Sequence, residues 1–374
     1  MTDQGFQPNW YSPPGATISD MLSERKISVA DFASQIGISH QMANGLLVGE
    51  AVLDTELAIK LQTTFGGSTS FWLKRESLYR EDLARFTETK EREANVAWLA
   101  TLPLSDMRKL GWLSTESRSK EEKIEACFNF FGVPDLGAWR KRYVAMIDQA
   151  AFRTSTNLES NLSSVAAWLR RGELMAESTR TKTWSAEKFR KALPAIRSLT
   201  REKDVSIFLP KLKNICADCG VALSIVKTPK GCAASGATRF LSDSKALMLL
   251  SFRHLSDDQF WFTFFHEAAH LILHGKNVLF IEDDGDGLSR EEQEANEFAA
   301  RILIPIEAQE ELRLVKTGMR DIVRFSRKLG VSPGIVVGQL QHCGRLAPRQ
   351  RNTLKRRFAW KDIAIASEVS LETA

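Results

Sequence analysis

Two histidines four residues apart, His266 and His270, could bind one metal ion, with Glu267 between them in the string HEAAH. In a helix, side chains at positions i and i+4 lie on the same face, so both imidazoles would converge. A catalytic zinc takes three protein ligands and keeps a fourth position for water. The string therefore predicts part of a zinc hydrolase site, in which Glu267 serves as general base.

The third ligand must come from another segment. The string SREEQEANEFAARILIP at 289–305 has the pattern of a second helix, with Glu292 and Asn296 four residues apart. We predict Glu292 as the third ligand and Asn296 as the partner of a ligating histidine. Glu294 stays the rival ligand, although a residue two positions from Glu292 points elsewhere on a helix.

His274 extends the row of histidines by four more residues. The resulting HExxHxxxH string lacks the longer spacing of the three-histidine proteases, so we predict that His274 supports a ligand instead of binding the metal. The chain has tyrosine only at Tyr11, Tyr79 and Tyr143, so none follows the motif to bind an oxyanion. His274, His342 or an arginine would have to take that role.

One helix must carry both histidines. The string SDDQFWFTFFHEAAHLILHG at 256–275 predicts such a helix, because Ser256 and Gln259 have capping-box spacing and Gly275 can end it.

Two apolar strings before this helix, VALSIVKT at 221–228 and ALMLLSF at 246–252, predict strands. The second strand is expected to receive a substrate segment as an added β-strand. The expected class is α+β and mostly helical, with a small sheet beside the metal helices.

A different pattern precedes position 65. In ISVADFASQIGISHQMANGLLVGE, Ser28 can cap a helix from Val29 to Ile36, and Ser39 can cap a second one from His40 to about Val48. In the second helix we expect four residues to face inward: Met42, Ala43, Leu46 and Leu47. Two short helices joined across a glycine turn are typical of a helix-turn-helix, although such corners also occur in other all-α domains.

The composition fits an ordinary globular protein, with 43% apolar residues, 26% charged residues and a net charge of +5. The first residues lack the basic and apolar regions of a signal peptide, and no apolar run is long enough to span a membrane. Five cysteines, an odd and small number, predict a reduced cytoplasmic protein.

The N-terminal residues resemble the Xre/Cro-like helix-turn-helix family and, within it, the HigA (VapI-like) antitoxins. Three strings carry the resemblance: PPGATISDML, SVADFASQIGISHQMANGLLVGE and LAIKLQTTFGGSTSFWL. It implies that the second helix enters the major groove with His40, Gln41 and Asn44, and Ser39 stands at its start. Glutamine and asparagine can bind an adenine edge through two hydrogen bonds. One residue departs from the expected pattern: Gly45 lies inside this helix, and glycine weakens a helix by up to ~1 kcal/mol.

The C-terminal part resembles the ImmA/IrrE (M78-like) metallopeptidases over about 205–358. HEAAHLILH and EEQEANEFAARILIP are similar to the two signature helices, and FSRKLGVSPGIVVGQLQHCG is similar to the helical region after them. The resemblance implies a zincin-like domain in which His266, His270 and Glu292 bind zinc. Members of the family cleave particular cellular proteins, often transcriptional repressors.

Together these observations predict three parts: a helix-turn-helix domain at 1–84, a helical connector at 85–200 and a zinc metallopeptidase domain at 201–374. The expected protein is a cytoplasmic, homodimeric regulator that binds an operator in double-stranded DNA and cleaves a specific regulatory protein. The alternative is a HigA-like antitoxin and autorepressor that binds DNA and a RelE-like toxin while its peptidase site is idle.

Overall fold

The computed structural model divides the chain into two compact units, Met1–Trp98 and Leu99–Ala374. The predicted class, mostly helical with a small sheet, is confirmed. The structure describes residues 11–114, 119–147, 162–274, 280–282 and 289–368.

Helices alone form the described part of the first unit. They are α1 (Pro14–Arg25), α2 (Val29–Ile36), α3 (His40–Val48), α4 (Thr55–Phe65) and α5 (Thr69–Thr101), the last of which crosses the division between the units. The core of this unit contains Phe32, Leu46, Leu61 and Trp72, all buried. Each helix is stabilised by the apolar stripe that it buries in this shared core.

The predicted bounds of α2 and α3 are confirmed. The Ser28 hydroxyl accepts a hydrogen bond from the Asp31 amide, and the Ser39 hydroxyl accepts one from the Met42 amide, both at 3.1 Å. These bonds satisfy backbone donors that the first turn of a helix leaves without a partner. Gly37 ends α2 in the left-handed region, with φ of 65°, which allows the tight turn into α3.

The predicted inward face of α3 is wrong at one position. Ala43 and Leu46 are buried and Leu47 packs against the core, but the Met42 side chain is 36% exposed. On a helix, residues 43, 46 and 47 share one stripe at i, i+3 and i+4 spacing, and residue 42 lies outside it. Met42 therefore belongs to the exposed face of α3.

The second unit combines helices with one sheet. Its helices are α6 (Leu104–Lys109), α7 (Lys120–Phe131), α8 (Leu136–Trp139), α9 (Leu162–Ser178), α10 (Ala186–Leu199), α11 (Val205–Asp218), α12 (Asp257–Leu273), α13 (Arg290–Leu303), α14 (Ile306–Leu314), α15 (Met319–Leu329), α16 (Pro333–His342) and α17 (Trp360–Glu368). A π-helical turn, Arg140–Val144, follows α8, and a 3₁₀ turn, Asn352–Leu354, precedes α17. None of the described helices is both long and apolar enough to cross a membrane.

The sheet has four strands in the order β1-β3-β2-β4. They are β1 (Val221–Ile225), β2 (Gly236–Ser242), β3 (Lys245–Leu250) and β4 (Phe280–Glu282). β3 pairs in parallel with β1 and antiparallel with β2, and β4 pairs antiparallel with β2. The two predicted strands are β1 and β3, whereas β2 and β4 were not predicted.

The expectation that the string ALMLLSF receives a substrate strand is wrong. This string forms β3, which is hydrogen-bonded to β1 on one side and to β2 on the other. Its apolar residues from Ala246 to Leu250 are buried because they lie in the middle of the sheet. A central strand has no free backbone edge to pair with another chain.

Helix α9 lies against the sheet. The Trp168 indole donates a hydrogen bond to the Val226 carbonyl at 2.9 Å, just past the end of β1. The Ser224 hydroxyl, on β1, donates to the Gly172 carbonyl at 3.3 Å. This helix falls in the segment predicted as a connector, 85–200.

Helix α12 lies in the centre of the second unit, where Trp261, Phe264 and Phe265 are fully buried in its core. The predicted capping box at its start is wrong, because the Ser256 side chain makes no capping hydrogen bond. Ser256 instead pairs with Arg357 in an isolated β-bridge. The helix ends at Leu273, and Gly275, predicted to end it, lies outside the described residues.

Candidate metal centre

Helix α12 brings the two histidines of the HEAAH string together. His266 and His270 are 1% and 2% exposed, and their Nε2 atoms are 3.0 Å apart. This convergence follows from the i, i+4 spacing on one helical face. Two nitrogen donors of a buried helix thus point at the same small volume.

Helix α13 supplies a carboxylate to the same place. The Ser289 hydroxyl accepts from the Glu292 amide at the start of this helix, which sets Glu292 in its first turn. Glu292 Oε2 lies 3.0 Å from His266 Nε2, and Oε1 lies 3.4 Å from His270 Nε2. One ligand atom from each residue lies within 4.8 Å of the other two. Two imidazoles and one carboxylate fit zinc, since this donor set leaves a coordination position open.

The protonation states of the donors suit a metal. Burial lowers the pKa of His270 to about 4, although the hydrogen bond that its ring donates to the Glu292 carboxylate acts in the opposite direction. Burial alone would raise the pKa of Glu292, but hydrogen bonds to His266 and His270 outweigh it and lower that pKa to about 2. At neutral pH His270 is therefore uncharged and Glu292 is negatively charged, as metal ligands require.

Outer contacts orient each imidazole. Asn296 Oδ1 lies 2.9 Å from His266 Nδ1 and can only accept, so Nδ1 carries the hydrogen and Nε2 keeps its lone pair. His270 Nδ1 lies 2.9 Å from His274 Nδ1, and His274 Nε2 lies 3.3 Å from Glu294 Oε2. With the same tautomer at His270, its Nδ1 donates to His274 Nδ1, and His274 Nε2 donates to Glu294 Oε2. Glu294 thus orients His270 through His274. His274 faces His270 Nδ1 and not the cluster of Nε2 atoms.

The rival ligand Glu294 lies apart from the two Nε2 atoms. It accepts from Arg290 Nε at 2.8 Å and contacts His274, and its side chain is 43% exposed. The structure thus brings Glu292, and not Glu294, to the two histidines. The two glutamates differ because residues two apart on a helix point about 200° from each other.

Glu267 is completely buried next to His266. Its carboxylate lies against Gly236, the first residue of β2: a Cβ atom on Gly236 would come within 2.4 Å of Glu267 Oε1. Only glycine leaves room for the carboxylate at this point. The sequence patterns did not reveal Gly236, because its contact with Glu267 joins residues that are distant in the sequence.

The predicted DNA-contacting residues lie together on the exposed face of α3. His40, Gln41 and Asn44 are exposed, and Asn44 Nδ2 lies 3.1 Å from His40 Nδ1. Ser39 caps the helix with its hydroxyl. An exposed helix with polar groups at its N-terminal end is the arrangement that reads base edges in helix-turn-helix proteins.

Comparisons with known proteins agree with both halves of this description. Residues 223–340 match the peptidase M78 family, described as the IrrE N-terminal-like domain. The N-terminal part is 36% identical over 66 residues to the "Uncharacterized HTH-type transcriptional regulator YddM" of Escherichia coli (strain K12), a match that covers 18% of this chain and 70% of that protein. The chain therefore belongs to the HTH-type transcriptional regulators by its N-terminal part and carries a peptidase M78 (IrrE N-terminal-like) domain after it.

Proposed function

We propose that this chain is a DNA-binding regulator whose C-terminal domain is a zinc-dependent endopeptidase. One observation carries the proposal: the buried donor atoms of His266, His270 and Glu292 lie within 4.8 Å of one another. Glu267 lies on α12, the helix that carries the two histidines. Zinc bound between these donors would compensate for the hydration that the buried polar groups have lost. The match to a peptidase family supports the same activity.

Each residue has a distinct role in this proposal. His266 and His270 bind zinc through Nε2, and Glu292 binds it through its carboxylate. When bound, zinc supplies Lewis acidity towards a peptide carbonyl and a water molecule. Glu267 accepts the proton of the attacking water and donates it to the leaving amine nitrogen. Asn296 and His274 hold the two imidazoles in the required orientation.

The substrate in this proposal is one regulatory protein, either a repressor or a component of a toxin–antitoxin pair. The support is the fusion itself, since a peptidase domain follows a part related to transcriptional regulators. The protein acts in the cytoplasm, where its operator DNA lies. Proteolysis occurs preferentially at exposed loops, so we expect a folded substrate to present a loop to this centre.

The DNA-binding half of the proposal rests on α3. Gln41 and Asn44 contact base edges, His40 contacts a guanine or a phosphate, and Ser39 holds the start of the helix against the backbone. A single reader helix covers few base pairs, so two copies of the chain bind a two-fold symmetric operator as a homodimer.

The experiment is to co-express wild type or Glu267→Gln with each neighbouring gene product and to look for a discrete fragment. The amide keeps the shape of Glu267 but cannot take a proton, so zinc should stay and cleavage should stop. Glu297→Gln makes the same chemical change on the exposed side of α13, where Glu297 pairs with Arg301, and should still cleave. A fragment that persists with Glu267→Gln, or no fragment from wild type with any neighbour, would favour a HigA-like antitoxin with an idle site.

A further inference from the structure

The C-terminal end of α3 is fixed by the chain that follows it. The Gly45 carbonyl accepts hydrogen bonds from the amides of Glu50 and Ala51, at 2.8 and 3.0 Å. Gly49 ends the helix in the left-handed region, with φ of 80°, which allows the chain to turn back. Ala51 therefore lies directly against the last turn of α3.

This return of the chain explains the glycine inside α3. A Cβ atom on Gly45 would lie 3.2 Å from the Ala51 Cβ, closer than the optimal separation of two carbon atoms. Glycine costs helix stability at this position but leaves room for Ala51. Asn44 is adjacent to Gly45, and Gln41 precedes Gly45 by about one turn. The residue that packs on α3 and the residues proposed to read bases are thus attached to the same turns of the helix.

Arg80 connects Ala51 to the long helix α5. Its Nη2 donates to the Ala51 carbonyl at 3.0 Å, and its Nε donates to Glu76 Oε1 at 2.7 Å. Glu76 is buried one turn earlier on α5, so it orients the guanidinium. Hydrogen bonds from a charged donor are stronger than those between neutral groups. Arg80 therefore holds Ala51, and through the Ala51 amide it holds the last turn of α3.

Two further residues contact the same end of α3. The buried Tyr79 ring of α5 lies against Gly49, where a Cβ atom would overlap with the Tyr79 hydroxyl. Gly15 of α1 lies so close to α3 that a Cβ atom there would overlap with the carbonyl oxygens of Leu46 and Leu47. Both α1 and α5 thus contact the C-terminal end of the proposed reader helix.

We propose that Arg80 is a positioning residue for DNA recognition: through Ala51 it sets the angle at which α3 enters the major groove. The inference rests on the proposed DNA binding and adds α5 to the elements that determine its specificity. Discrimination between bases requires that side chains reach particular atoms on base edges, so a small rotation of α3 would misalign Gln41 and Asn44. Phosphate contacts carry no sequence information, so binding to an unrelated duplex would change little.

The test measures the Kd of the full-length protein for two fluorescent duplexes at one salt concentration. One duplex is selected by wild type from a library of random sequence, and the other has the same bases in scrambled order. Arg80→Met removes both donors and keeps an unbranched side chain. The ratio of the two Kd values should fall about tenfold, as for the loss of one base contact. An unchanged ratio would overturn the inference.

Arg92→Met is the matched control, because Arg92 is exposed on the same helix and loses the same charge. Its ratio should equal that of wild type, although both variants should bind the scrambled duplex slightly more weakly. Arg80→Lys keeps the charge and one donor group, so it should recover part of the ratio. A ratio that falls equally in Arg80→Met and Arg92→Met would show that only the charge matters, and the inference would be wrong.

Circular dichroism and urea unfolding separate the positioning role from a purely structural one, since Arg80→Met should lose specificity while it is still folded. If this variant does not fold, Gly45→Ala decides. Its methyl group displaces Ala51 but favours the helix, so a lower ratio could not result from unfolding. An unchanged ratio in Gly45→Ala would then overturn the inference.

The same titrations distinguish this inference from the proposed function. If wild type selects no sequence from the library, the DNA-binding half of the proposed function fails, and the inference fails with it. If wild type is selective and Arg80→Met is equally selective, DNA binding stands and only the role of Arg80 is wrong.

Discussion

At the scale of single residues, Glu292 and Glu294 provide the sharpest comparison, since only Glu292 reaches the two histidines. We predict that Glu292→Ala loses its zinc on dialysis, because removal of one of three protein ligands leaves a site with only two. Glu294→Ala should retain about one zinc per chain, with affinity reduced only through His274. Elemental analysis of both purified variants measures this. Zinc lost from Glu294→Ala but kept by Glu292→Ala would transfer the ligand role to Glu294.

The lowered pKa of His270 predicts how the free energy of unfolding of the zinc-free protein depends on pH. Its folded-state pKa of about 4 lies below the ordinary value of 6.5, so between these values the unfolded chain binds a proton that the folded chain does not. The free energy of unfolding must then fall as the pH falls from 6.5 to 4, by no more than about 1.4 kcal/mol per pH unit from this group. Urea unfolding across this range measures the slope.

His270→Gln is the control for this slope, because glutamine does not titrate. The variant should show a smaller loss of stability per pH unit than wild type over the same range. Glu292 does not interfere, since its lowered pKa acts between 4.5 and about 2, where stability falls as that carboxylate becomes protonated. Equal slopes for wild type and His270→Gln would mean that His270 is not held neutral by burial.

At the scale of elements, β2 approaches α12 closely at Glu267, the proposed proton acceptor. Gly236→Ala would place a methyl carbon 2.4 Å from Glu267 Oε1, too close for both groups to keep their positions. We predict that this variant keeps zinc, because the ligands are on α12 and α13, yet cleaves its substrate at least about tenfold more slowly, as a displaced catalytic group loses its alignment. Zinc content and cleavage of the co-expressed substrate measure the two effects.

Gly137→Ala is a matched control in a different helix, where the nearest atom to the new methyl group is an Asp135 carboxylate oxygen at 3.1 Å. It should keep both zinc and the rate of cleavage. If Gly236→Ala cleaves as fast as wild type, the close approach of β2 does not hold Glu267 in place. Loss of zinc from Gly236→Ala would show instead that the strand supports the ligand set.

The elements that could be predicted are those with local signals. Ser28 and Ser39 cap α2 and α3 through their own first turns, so the sequence alone locates these helices. β2 was missed because GATRFLS lacks an alternating apolar pattern and becomes a strand only through its pairing with β3. Gly236 was missed for the same reason, since its close contact with Glu267 joins residues distant in the sequence.

At the scale of the whole molecule, the chain combines two units with separate cores, and each contains one candidate site. The donor group lies on helices of the second unit, and the exposed polar face of α3 lies in the first. Changes at one site should therefore leave the local structure of the other intact. The two proposed activities, operator binding and cleavage of a regulatory protein, would therefore depend on independent sets of residues, and we expect that each can be removed without the other.

DNA binding provides the prediction for the first unit. Gln41→Ala should weaken binding to the specific operator by ~1–3 kcal/mol and leave binding to random DNA almost unchanged, because a base contact adds specificity while phosphate contacts supply general affinity. Gln35→Ala, the same change on the exposed side of α2, should affect neither.

The measurement is a titration of fluorescent operator and random duplexes at one fixed salt concentration. Glu267→Gln is included to show that the change at the metal centre does not alter the Kd for DNA. In the proposed homodimer on a symmetric operator, Gln41→Ala removes the contact from both half-sites, so one wild-type subunit should recover about half of the lost free energy. Equal losses on operator and random DNA would show that Gln41 does not read a base.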